Sequence, residues 1–515
     1  MSKNLSRIWP LLLILSAAFV LRIIHLEKLF YFTYDEEVFA LIGRRLILWH
    51  HVPLIGGVTP FGFHVAPYFY WFFTLVLAFG KLNPIAWGYA SAIIAVLTTF
   101  AIYKVATTFE NKKTGITAAA FWAFSYMANL YDRHFWGLTF GPLFSLIVIY
   151  CLFQIINGRQ KFVYLLGLTL ALIIHADLSY YTFLGLTILS WVIFKLPIKK
   201  STFIALSFIA LSFMPLVFFD ARHNFANTRP AVKFFNASRN RPGLEFQKFT
   251  DNLLIFPKSA IRFIYPPGDN EIPKQYSYCR NFIIEKYKAI PIVWVIIATL
   301  GLVYFMFWSW KNSKNPGWRL AALLLIVYFI GIQLYGTVFN AETFEHYLSG
   351  VFAIYIMVTA LLIGRLPKKL WLIVIGFFVA VNLYKFSLAQ NNQSLQNKRQ
   401  AIEYTMKEVG NEEFSLESIS TCWRLNGYRY LFAVFGREPT KSFVDPNLGY
   451  LYGTTPISKD HPATVVAFVM HDYVPEQSSF YQKYALYKSH EKTSSIFGNL
   501  EVIIMDNSTG WFDKP

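Results

Sequence analysis

The chain has 515 residues, of which 55% are hydrophobic, 19% aromatic and only 15% charged, and its mean hydropathy is +0.40. This composition excludes a disordered chain and an ordinary soluble domain, because so much apolar surface needs lipid or a very large core. The formal net charge of +18 comes with no nucleic-acid-binding motif, so nucleic acid is not an expected partner. We therefore expect a polytopic membrane protein.

Apolar runs long enough to cross a bilayer recur from residue 9 to about residue 389. No small-residue cleavage site follows the first run, so we interpret it as a span rather than a signal peptide. Short basic segments between the runs, such as those at Lys112 and Arg365, are predicted to face the cytoplasm. This alternation predicts about eleven transmembrane helices, over residues 9–29, 84–106, 114–130, 138–156, 162–180, 181–195, 201–219, 289–310, 319–338, 348–364 and 370–389.

One apolar run, "VAPYFYWFFTLVLAFG" at residues 65–80, is too short to span a bilayer comfortably. Counting it as a span would also reverse the sides of all the basic loops that follow. We therefore predict an interfacial or re-entrant helix within a first outer loop, residues 30–83.

Ionisable residues concentrate at the outer ends of the predicted spans. They lie in five turns, "YFTYDEEVFAL" (Asp35, Glu36, Glu37), "LYDRHFW" (Asp132, Arg133, His134), "IIHADLSYY" (His175, Asp177), "FFDARHNFANTRP" (Asp220, Arg222, His223, Arg229) and "NAETFEHY" (Glu342, Glu345, His346). Charges at a membrane edge are costly to hold, so their gathering on one side predicts a functional site.

The long outer loop, residues 220–288, begins with an excess of basic residues, namely Arg222, Arg229, Lys233, Arg239 and Arg241. A cationic loop above a bilayer could hold a lipid phosphate, to which arginine gives bidentate contacts. Cys279 and Cys422 are both predicted on the outer side, where a disulfide between them is one open alternative.

The composition changes after about residue 390. Helical patterns in "NNQSLQNKRQAIEYTMKEVG", "WRLNGYRYLFAVFG" and "QSSFYQKYALYKSH" alternate with the strand patterns "ATVVAFVM" and "LEVIIMD". We predict a membrane domain over residues 1–389 and a soluble α/β domain over residues 390–515, outside the membrane by the parity of the spans.

The segment "LRIIHLEKLFYFTYDEE" resembles the start of the GT-C membrane glycosyltransferases, and most closely glycosyltransferase family 39, the protein O-mannosyltransferase and aminoarabinose transferase group. Further resemblances are "FHVAPYFYWF", "LYDRHFWGLTFGPLF", "LIIHADLSYY" and "PLVFFDARHNFANTRPAVKFF". They cover most of residues 7–240. The resemblance implies a GT-C fold in the cell membrane, with the active site on the extracytoplasmic side.

By this resemblance the protein moves a sugar from a polyprenyl phosphate to an acceptor hydroxyl on a protein, lipid or glycan, with inversion. Asp35 is implied as the base and Asp132 as an aid to the acceptor. The residues implied in substrate or phosphate binding are Glu36, Arg22, His64, Arg133, Arg222 and Arg229. Arg22 is also expected to support Asp35 from the outer end of the first span. The family group generally works without a metal; if a divalent cation is used, Asp35 and Asp132 are the expected ligands.

Each of these residues also has a structural interpretation. Thr33 and Glu36 fit a capping box, so the acids could simply begin a helix. Asp132 could pair with Arg133, and His175 with Asp177 could form a hydrogen-bonded kink. Arg222 and Arg229 could be solvated or lipid-anchoring residues, and His64 could be structural.

Three other functions stay open from the residues. A transporter or lipid flippase would also be polytopic and basic, although no repeated halves are evident. A scaffold without catalysis predicts no effect of an Asp35 substitution. An oligosaccharide ligase with a pyrophosphate lipid would be distinguished by metal dependence.

Overall fold

Helices make up most of the chain as far as residue 387. The computed structural model describes residues 2–238, 246–265, 290–311, 313, 315–339, 341, 343–391, 394–419, 427–453, 455–471 and 479–513. The helices of the larger part are α1 (Ser2–Ile23), α2 (Leu26–Leu29), α3 (Tyr34–Trp49), α4 (Tyr68–Phe79), α5 (Ile85–Phe109), α6 (Lys112–Phe124), α7 (Tyr126–Tyr131), α8 (Gly141–Ile156), α9 (Phe162–Ile173), α10 (Thr182–Ile193), α11 (Lys200–Leu211), α12 (Met214–Arg222), α13 (Thr228–Ser238), α14 (Phe246–Arg262), α15 (Ile292–Lys311), α16 (Pro316–Gln333), α17 (Ser349–Gly364) and α18 (Lys368–Ser387).

Within the described residues, seven helical segments are long and apolar enough to cross a membrane: Ile85–Phe109, Gly137–Ile156, Lys200–Arg222, Ile292–Lys311, Pro316–Val338, Glu345–Gly364 and Lys368–Ser387. The other four predicted spans coincide with other helices, namely α1, α6 with α7, α9, and α10 with the 3₁₀ turn before it. A helix therefore lies at each predicted span. The prediction of a multi-pass helical membrane protein is confirmed.

The short apolar run at residues 65–80 forms α4, a helix of 12 residues. At 1.5 Å per residue it is about 18 Å long, well short of the roughly 30 Å of a hydrocarbon core. It packs against α3 and α5. The predicted helix is therefore present and too short to span, while its position at the membrane interface stays a prediction.

Three of the segments predicted to share one side, those near Lys113, Asn315 and Leu366, lie at the same end of the bundle. Lys113 Nζ donates a hydrogen bond to the carbonyl of Leu366 at 2.7 Å, and Asn315 Nδ2 donates to the carbonyl of Phe109 at 2.8 Å. These bonds join the start of α6 to the loop before α18, and the loop before α16 to the end of α5. The polar turns lie at the other end of the bundle, and which end faces the cytoplasm stays a prediction.

The C-terminal part contains a five-stranded sheet with strand order β2-β1-β3-β5-β4. Its strands are β1 (Phe414–Ile419), β2 (Lys441–Ser442), β3 (Thr464–Met470), β4 (Glu491–Phe497) and β5 (Leu500–Asp506), and its helices are α19 (Leu395–Val409), α20 (Tyr428–Phe435), α21 (Asp445–Leu448) and α22 (Ser479–Ser489). β1 pairs in parallel with β2 and β3, whereas β5 runs antiparallel to β3 and β4. The predicted α/β character is confirmed.

Alternate residues of β3 face two different cores, as the period of a strand requires. Val466 and Phe468 belong to the large core that continues into the helical bundle. Val465 and Val469 face a small separate core that includes Tyr487 of α22. One face of the sheet therefore packs toward the membrane helices.

Some predictions concern residues outside the described ranges. These residues are Arg239, Arg241, Cys279, Glu342 and Cys422. The disulfide between Cys279 and Cys422 therefore stays one of the alternatives predicted from the sequence.

Candidate active site

The first turn of α3 carries the three consecutive acids. Glu36 Oε2 accepts hydrogen bonds from the backbone N and from Oγ1 of Thr33, both at 3.0 Å. This is the predicted capping box, which satisfies donors at the start of the helix and fixes where α3 begins. Successive helical side chains point about 100° apart, so Asp35, Glu36 and Glu37 leave this turn in three directions.

Glu36 points into the bundle. It is fully buried, and its Oε1 contacts Nδ1 of His134. His134 in turn stacks on Trp136 with ring centroids 3.9 Å apart. Burial alone would raise the pKa of Glu36, but His134 and the Thr33 hydrogen bonds together hold this pKa below its ordinary value. Glu36 is therefore a charged, fully engaged carboxylate.

Glu37 points the other way, toward the C-terminal part. It is fully buried and accepts hydrogen bonds from the backbone N of Gly427 at 2.7 Å and of Tyr430 at 3.0 Å. These two N–H groups belong to the start of α20, where a carboxylate is also favoured by the helix dipole. The third acid thus joins α3 to the sheet.

Asp35 points into a cavity. Its half-buried carboxylate accepts no hydrogen bond from any residue in the described part of the chain. Burial raises its pKa to about 6, with a further contribution from the charge of Glu36. A carboxylate with these properties can take a proton near neutral pH, since a general base works best with a pKa close to the operating pH.

The cavity has a volume of about 740 Å³, within the range of small-molecule sites. All five polar turns predicted from the sequence contribute to its wall. Its lining residues are Tyr34, Asp35, Val38, Phe39, Ile42, Arg45, His51, Val52, Pro53, Leu54, Ile55, Gly56, Gly57, Val58, Pro60, His64, Tyr70, Trp136, Gly137, Leu138, Ala176, Asp177, Phe219, Arg222, His223, His346, Tyr347, Tyr450 and Leu451.

A closed turn after α12 brings Arg222 and His64 to this cavity. Asp220 accepts hydrogen bonds from the backbone N of Asn227 at 2.7 Å and from Thr228 Oγ1 at 2.5 Å. Asn227 Oδ1 then accepts from the backbone N of His64 at 2.6 Å, and its Nδ2 donates to the His64 carbonyl at 3.1 Å. The first and the long outer loops are therefore tied together at the cavity wall.

Asp132 and Arg22 lie behind the cavity and do not line it. Arg22 Nε donates to Asp132 Oδ2 at 2.9 Å, and both side chains are buried. Arg22 also donates to the carbonyls of Ala123 at 2.6 Å and Trp122 at 3.1 Å. The structure thus pairs Arg22 with Asp132, whereas the resemblance implied support for Asp35, and it joins the end of α1 to the end of α6.

Arg133 is also engaged with the backbone rather than with the cavity. It donates to the carbonyls of Asn129 at 2.7 Å and Ile24 at 3.0 Å. Its guanidinium lies 4.9 Å from the ring centroid of Phe386. Arg133 therefore does not pair with its chain neighbour Asp132, which is bonded to Arg22 instead.

Arg229 differs from Arg222. Both side chains are exposed, but Arg229, in the first turn of α13, does not line the cavity. Several residues that line the cavity had no individual role predicted for them. Arg45 and Tyr450 are examples, because only the helical register of α3 and the fold of the distant C-terminal part bring them to Asp35. His175 and Asp177 were predicted to form a hydrogen-bonded kink, but Asp177 accepts from the backbone N of Ser179 at 2.8 Å, and His175 is bonded to the backbone N of Ala66 and to Ser212.

An apolar cavity of about 340 Å³ adjoins the first one. It lies between α10 and the end of α16, and the two cavities share the residues Pro60, Asp177 and Tyr347. Val327, Ile330 and Leu334 contribute to its apolar wall. A polar chamber and an apolar groove therefore meet beside Asp177.

The residues present do not fit a divalent cation held by Asp35 and Asp132. Asp132 is already paired with Arg22, and it does not line the cavity to which Asp35 contributes. Among the described residues, no group of three or more His, Cys, Asp or Glu side chains could hold a metal ion.

No family model matches the chain, and no curated protein matches it significantly in sequence. Among solved structures it is similar to ArnT from Cupriavidus metallidurans bound to undecaprenyl phosphate, with a TM-score of 0.55 and 10% identity over 96% of this chain and 97% of that chain. The apo state of ArnT gives the same values. An oligosaccharyltransferase from Archaeoglobus fulgidus matches over 93% of this chain and 69% of its own with 12% identity, at a TM-score of 0.47 that is too low to establish a shared fold. The likeness to ArnT confirms the GT-C type for the fold.

Proposed function

We propose that this chain is a membrane glycosyltransferase, which moves a sugar from a polyprenyl-phosphate donor to an acceptor hydroxyl. The observation that carries the proposal is the contrast among the three acids of α3. Glu36 and Glu37 are fully hydrogen-bonded or paired, whereas Asp35 faces a cavity of about 740 Å³ with its carboxylate open. Such an open, partly desolvated carboxylate is typical of a catalytic base.

The donor phosphate is assigned to arginines of the cavity wall. Arg222 and Arg45 both line this wall, and a guanidinium suits a phosphate because it donates two parallel hydrogen bonds. The adjoining apolar cavity suits the start of a prenyl chain, since its wall is almost entirely apolar. ArnT, the solved structure with the similar fold, was determined with undecaprenyl phosphate bound, which supports a donor of this class.

The reaction we propose is a single displacement with inversion. Asp35 takes the proton of the acceptor hydroxyl while the acceptor oxygen forms a bond to the anomeric carbon. The bond between that carbon and the phosphate oxygen breaks, and its electron pair leaves with the polyprenyl phosphate. Arg222 and Arg45 would stabilise the charge that develops on this leaving group.

The other predicted site residues receive supporting roles in this proposal. Asp132, Arg22 and Arg133 hold the ends of α1, α6 and α7 together behind the cavity, so we assign them to shaping its wall. Glu36 keeps its charge next to Asp35 and thereby helps to raise the pKa of that base. His64 is placed in the wall by Asn227, where it could contact the sugar or the phosphate.

We place the active site and the C-terminal part on the extracytoplasmic side of the cell membrane. The basic loops at the opposite end of the bundle support this orientation by the positive-inside rule. The acceptor would then be a protein, lipid or glycan that presents a hydroxyl at that surface. The proposed division into domains over residues 1–389 and 390–515 follows the change from membrane helices to the sheet.

The test is sugar transfer by the purified protein in lipid nanodiscs, with radiolabelled polyprenyl-phosphate sugars as donors and a cell-envelope extract as acceptor. Asp35→Asn keeps the shape of the side chain and removes its basicity. We expect this variant to lose transfer by about 10²- to 10⁴-fold, the usual contribution of a general base. Asp460→Asn makes the same chemical change at an exposed position of the C-terminal part and should transfer like the wild type.

Three results would count against the proposal. Undiminished transfer by Asp35→Asn would remove Asp35 as the base. Movement of the labelled lipid across a vesicle membrane without any transfer would favour a flippase. Activity that EDTA abolishes and a divalent cation restores would favour the metal-dependent ligase with a pyrophosphate donor.

A further inference from the structure

The helix that carries Asp35 has two functional faces. Asp35, Phe39 and Ile42 recur at the spacing of one helical face, and all three line the cavity. Glu37 follows Asp35 by two residues and therefore points about 200° away from it. Glu37 and Arg44 are seven residues apart and share a second face of α3. Both contact the C-terminal part.

The contact at the start of α3 is fully buried and uses both oxygens of one carboxylate. Glu37 accepts from the backbone N of Gly427 and of Tyr430. Gly427 has φ 101, in the left-handed region that favours glycine. A Cβ at Gly427 would lie 2.9 Å from the backbone oxygen of Phe32, so the start of α20 lies directly against the residues that lead into α3.

A buried lysine adds a second connection at this point. Lys398 Nζ of α19 donates to the carbonyl of Phe32 at 2.6 Å and lies 5.0 Å from the ring centroid of Tyr428. Its positive charge favours the ionised form of Glu37, and the charge of Glu37 partly offsets the burial that lowers the pKa of Lys398 to about 8. Two C-terminal helices therefore fix the backbone immediately before Asp35.

The other end of α3 is held as well. Arg44 pairs with Glu438, and Arg45 Nη1 donates to the carbonyl of Tyr450 at 3.1 Å. A Cβ at Gly453 would lie 2.8 Å from the ring of Trp49. The segment that makes these contacts also contributes Tyr450 to the cavity wall.

We propose that the C-terminal sheet is a working part of the active site, which sets the position of α3, and that Glu37 is the positioning residue for Asp35. This inference rests on the proposed glycosyl transfer. Glu37 does not touch the cavity, so it acts only through the placement of its helix. A displacement of a catalytic group by about 1 Å can cost about 100-fold in rate, which makes such a contact functionally important.

The first test is Glu37→Gln, which keeps the size of the side chain but presents an amide NH₂ group to one of the two N–H donors. We expect hydrogen–deuterium exchange in nanodiscs to show faster uptake than in the wild type over residues 34–41 and 427–435. Uptake in α17 should be unchanged. We also expect kcat to fall by about 10- to 100-fold while KM for the donor changes little. Glu403→Gln, an exposed residue of α19, is the matched control and should match the wild type in both measurements.

A second variant tests the same inference at an exposed position, in case the buried substitution Glu37→Gln prevents folding. Gly453→Ala places a methyl group against Trp49 from an exposed loop, and we expect the same fall in kcat with little change in KM. Gly453 has φ 67, and Gly510 has φ 64 with nothing within 4 Å of its Cβ position. Gly510→Ala therefore places alanine at a similarly unfavourable positive φ without a methyl contact to Trp49, and it should leave kcat unchanged.

The outcomes separate this inference from the function on which it rests. Normal kcat in Glu37→Gln together with faster exchange at α3, or normal kcat in Gly453→Ala, would overturn the positioning role while leaving the glycosyltransferase intact. Unchanged exchange in Glu37→Gln would show that the contact does not hold α3, and would overturn the inference even without an activity assay. A wild-type protein without any transfer would instead refute the proposed function, and the exchange data would still report on the contact.

Discussion

Two acidic turns lie at the same end of the helical bundle and differ in what surrounds their carboxylates. At the start of α3, Asp35 faces the cavity without a hydrogen-bond donor among the described residues. After α7, Asp132 lies behind that cavity and is bonded to Arg22 at 2.9 Å. Both are aspartates that follow a tyrosine in the sequence, and the resemblance to GT-C enzymes implied a catalytic role for each.

The hydrogen-bond and charge partners of a buried carboxylate therefore distinguish a structural role from a catalytic one. A buried carboxylate that is fully paired has little capacity to accept another proton or to contact a substrate. An open carboxylate beside a cavity is held at a cost in stability, which is common at sites of function. We therefore expect substitution of the two aspartates to give opposite effects on stability and activity.

The largest predicted effect on stability is that of Asp132→Asn. This change leaves the buried guanidinium of Arg22 without its counter-charge, and breaking a buried pair costs about 3 to 5 kcal/mol. Asp35→Asn should not destabilise the protein. Folding raises the pKa of Asp35 to about 6, so above pH 6 the ionised carboxylate costs stability that the neutral amide does not. Thermal unfolding of both variants in detergent at pH 8 measures the difference.

A double variant sharpens this prediction. Arg22→Met with Asp132→Leu removes both charges at once, and such replacements are often neutral or stabilising. We expect the double variant to recover most of the stability lost by Asp132→Asn. If Asp132→Asn unfolds at the wild-type temperature and still loses transfer, Asp132 would belong with Asp35 as a catalytic residue, and the contrast between the two turns would fail.

These two turns also show what the sequence can and cannot predict. The capping box at Thr33 and Glu36 is local, so spacing alone identified it correctly. Hydropathy and loop charge predicted a span at each of the seven long apolar helices among the described residues, because the bilayer sets the length of each apolar run. The gathering of five polar turns also followed, since the parity of the spans places their ends on one side.

The rest depends on contacts between distant parts of the chain. Arg22 pairs with a residue 110 positions away, and Glu37 contacts α20 390 positions away. No periodicity or spacing encodes such pairs. The two parallel strand pairs of β1 and the cavity residue Tyr450 were missed for the same reason, because they depend on how the C-terminal part folds back onto α3.

An intermediate effect is expected for the arginines of the long outer loop. Both side chains are exposed, but Arg222 lines the cavity and Arg229 of α13 does not. Hydrogen bonds to a charged group contribute about 1.5 to 3 kcal/mol, so Arg222→Ala should lower kcat/KM for the donor by about 10- to 100-fold. Arg229→Ala is the matched control and should stay within about twofold of the wild type.

This pair of arginines tests whether the cavity or the loop as a whole holds the phosphate. A similar loss in both variants would mean that the cationic loop attracts the lipid by its charge alone. In that case raising the salt concentration should weaken donor binding in the wild type as strongly as either substitution does, because screening acts on exposed charges.

The smallest predicted effect is the dependence of transfer on pH. Asp35 must be ionised to act as a base, and its pKa is raised to about 6, so kcat/KM should be constant above pH 7 and fall as the pH drops through about 6. At pH 5 only about one tenth of the carboxylate is ionised, which gives about a tenfold loss. Glu36 should add no second step between pH 5 and 8, because its pKa is held below the ordinary value. A profile that stays flat down to pH 4.5 would mean that the base has an ordinary carboxylate pKa. The partial burial of Asp35 beside the cavity would then no longer support its assignment as the base.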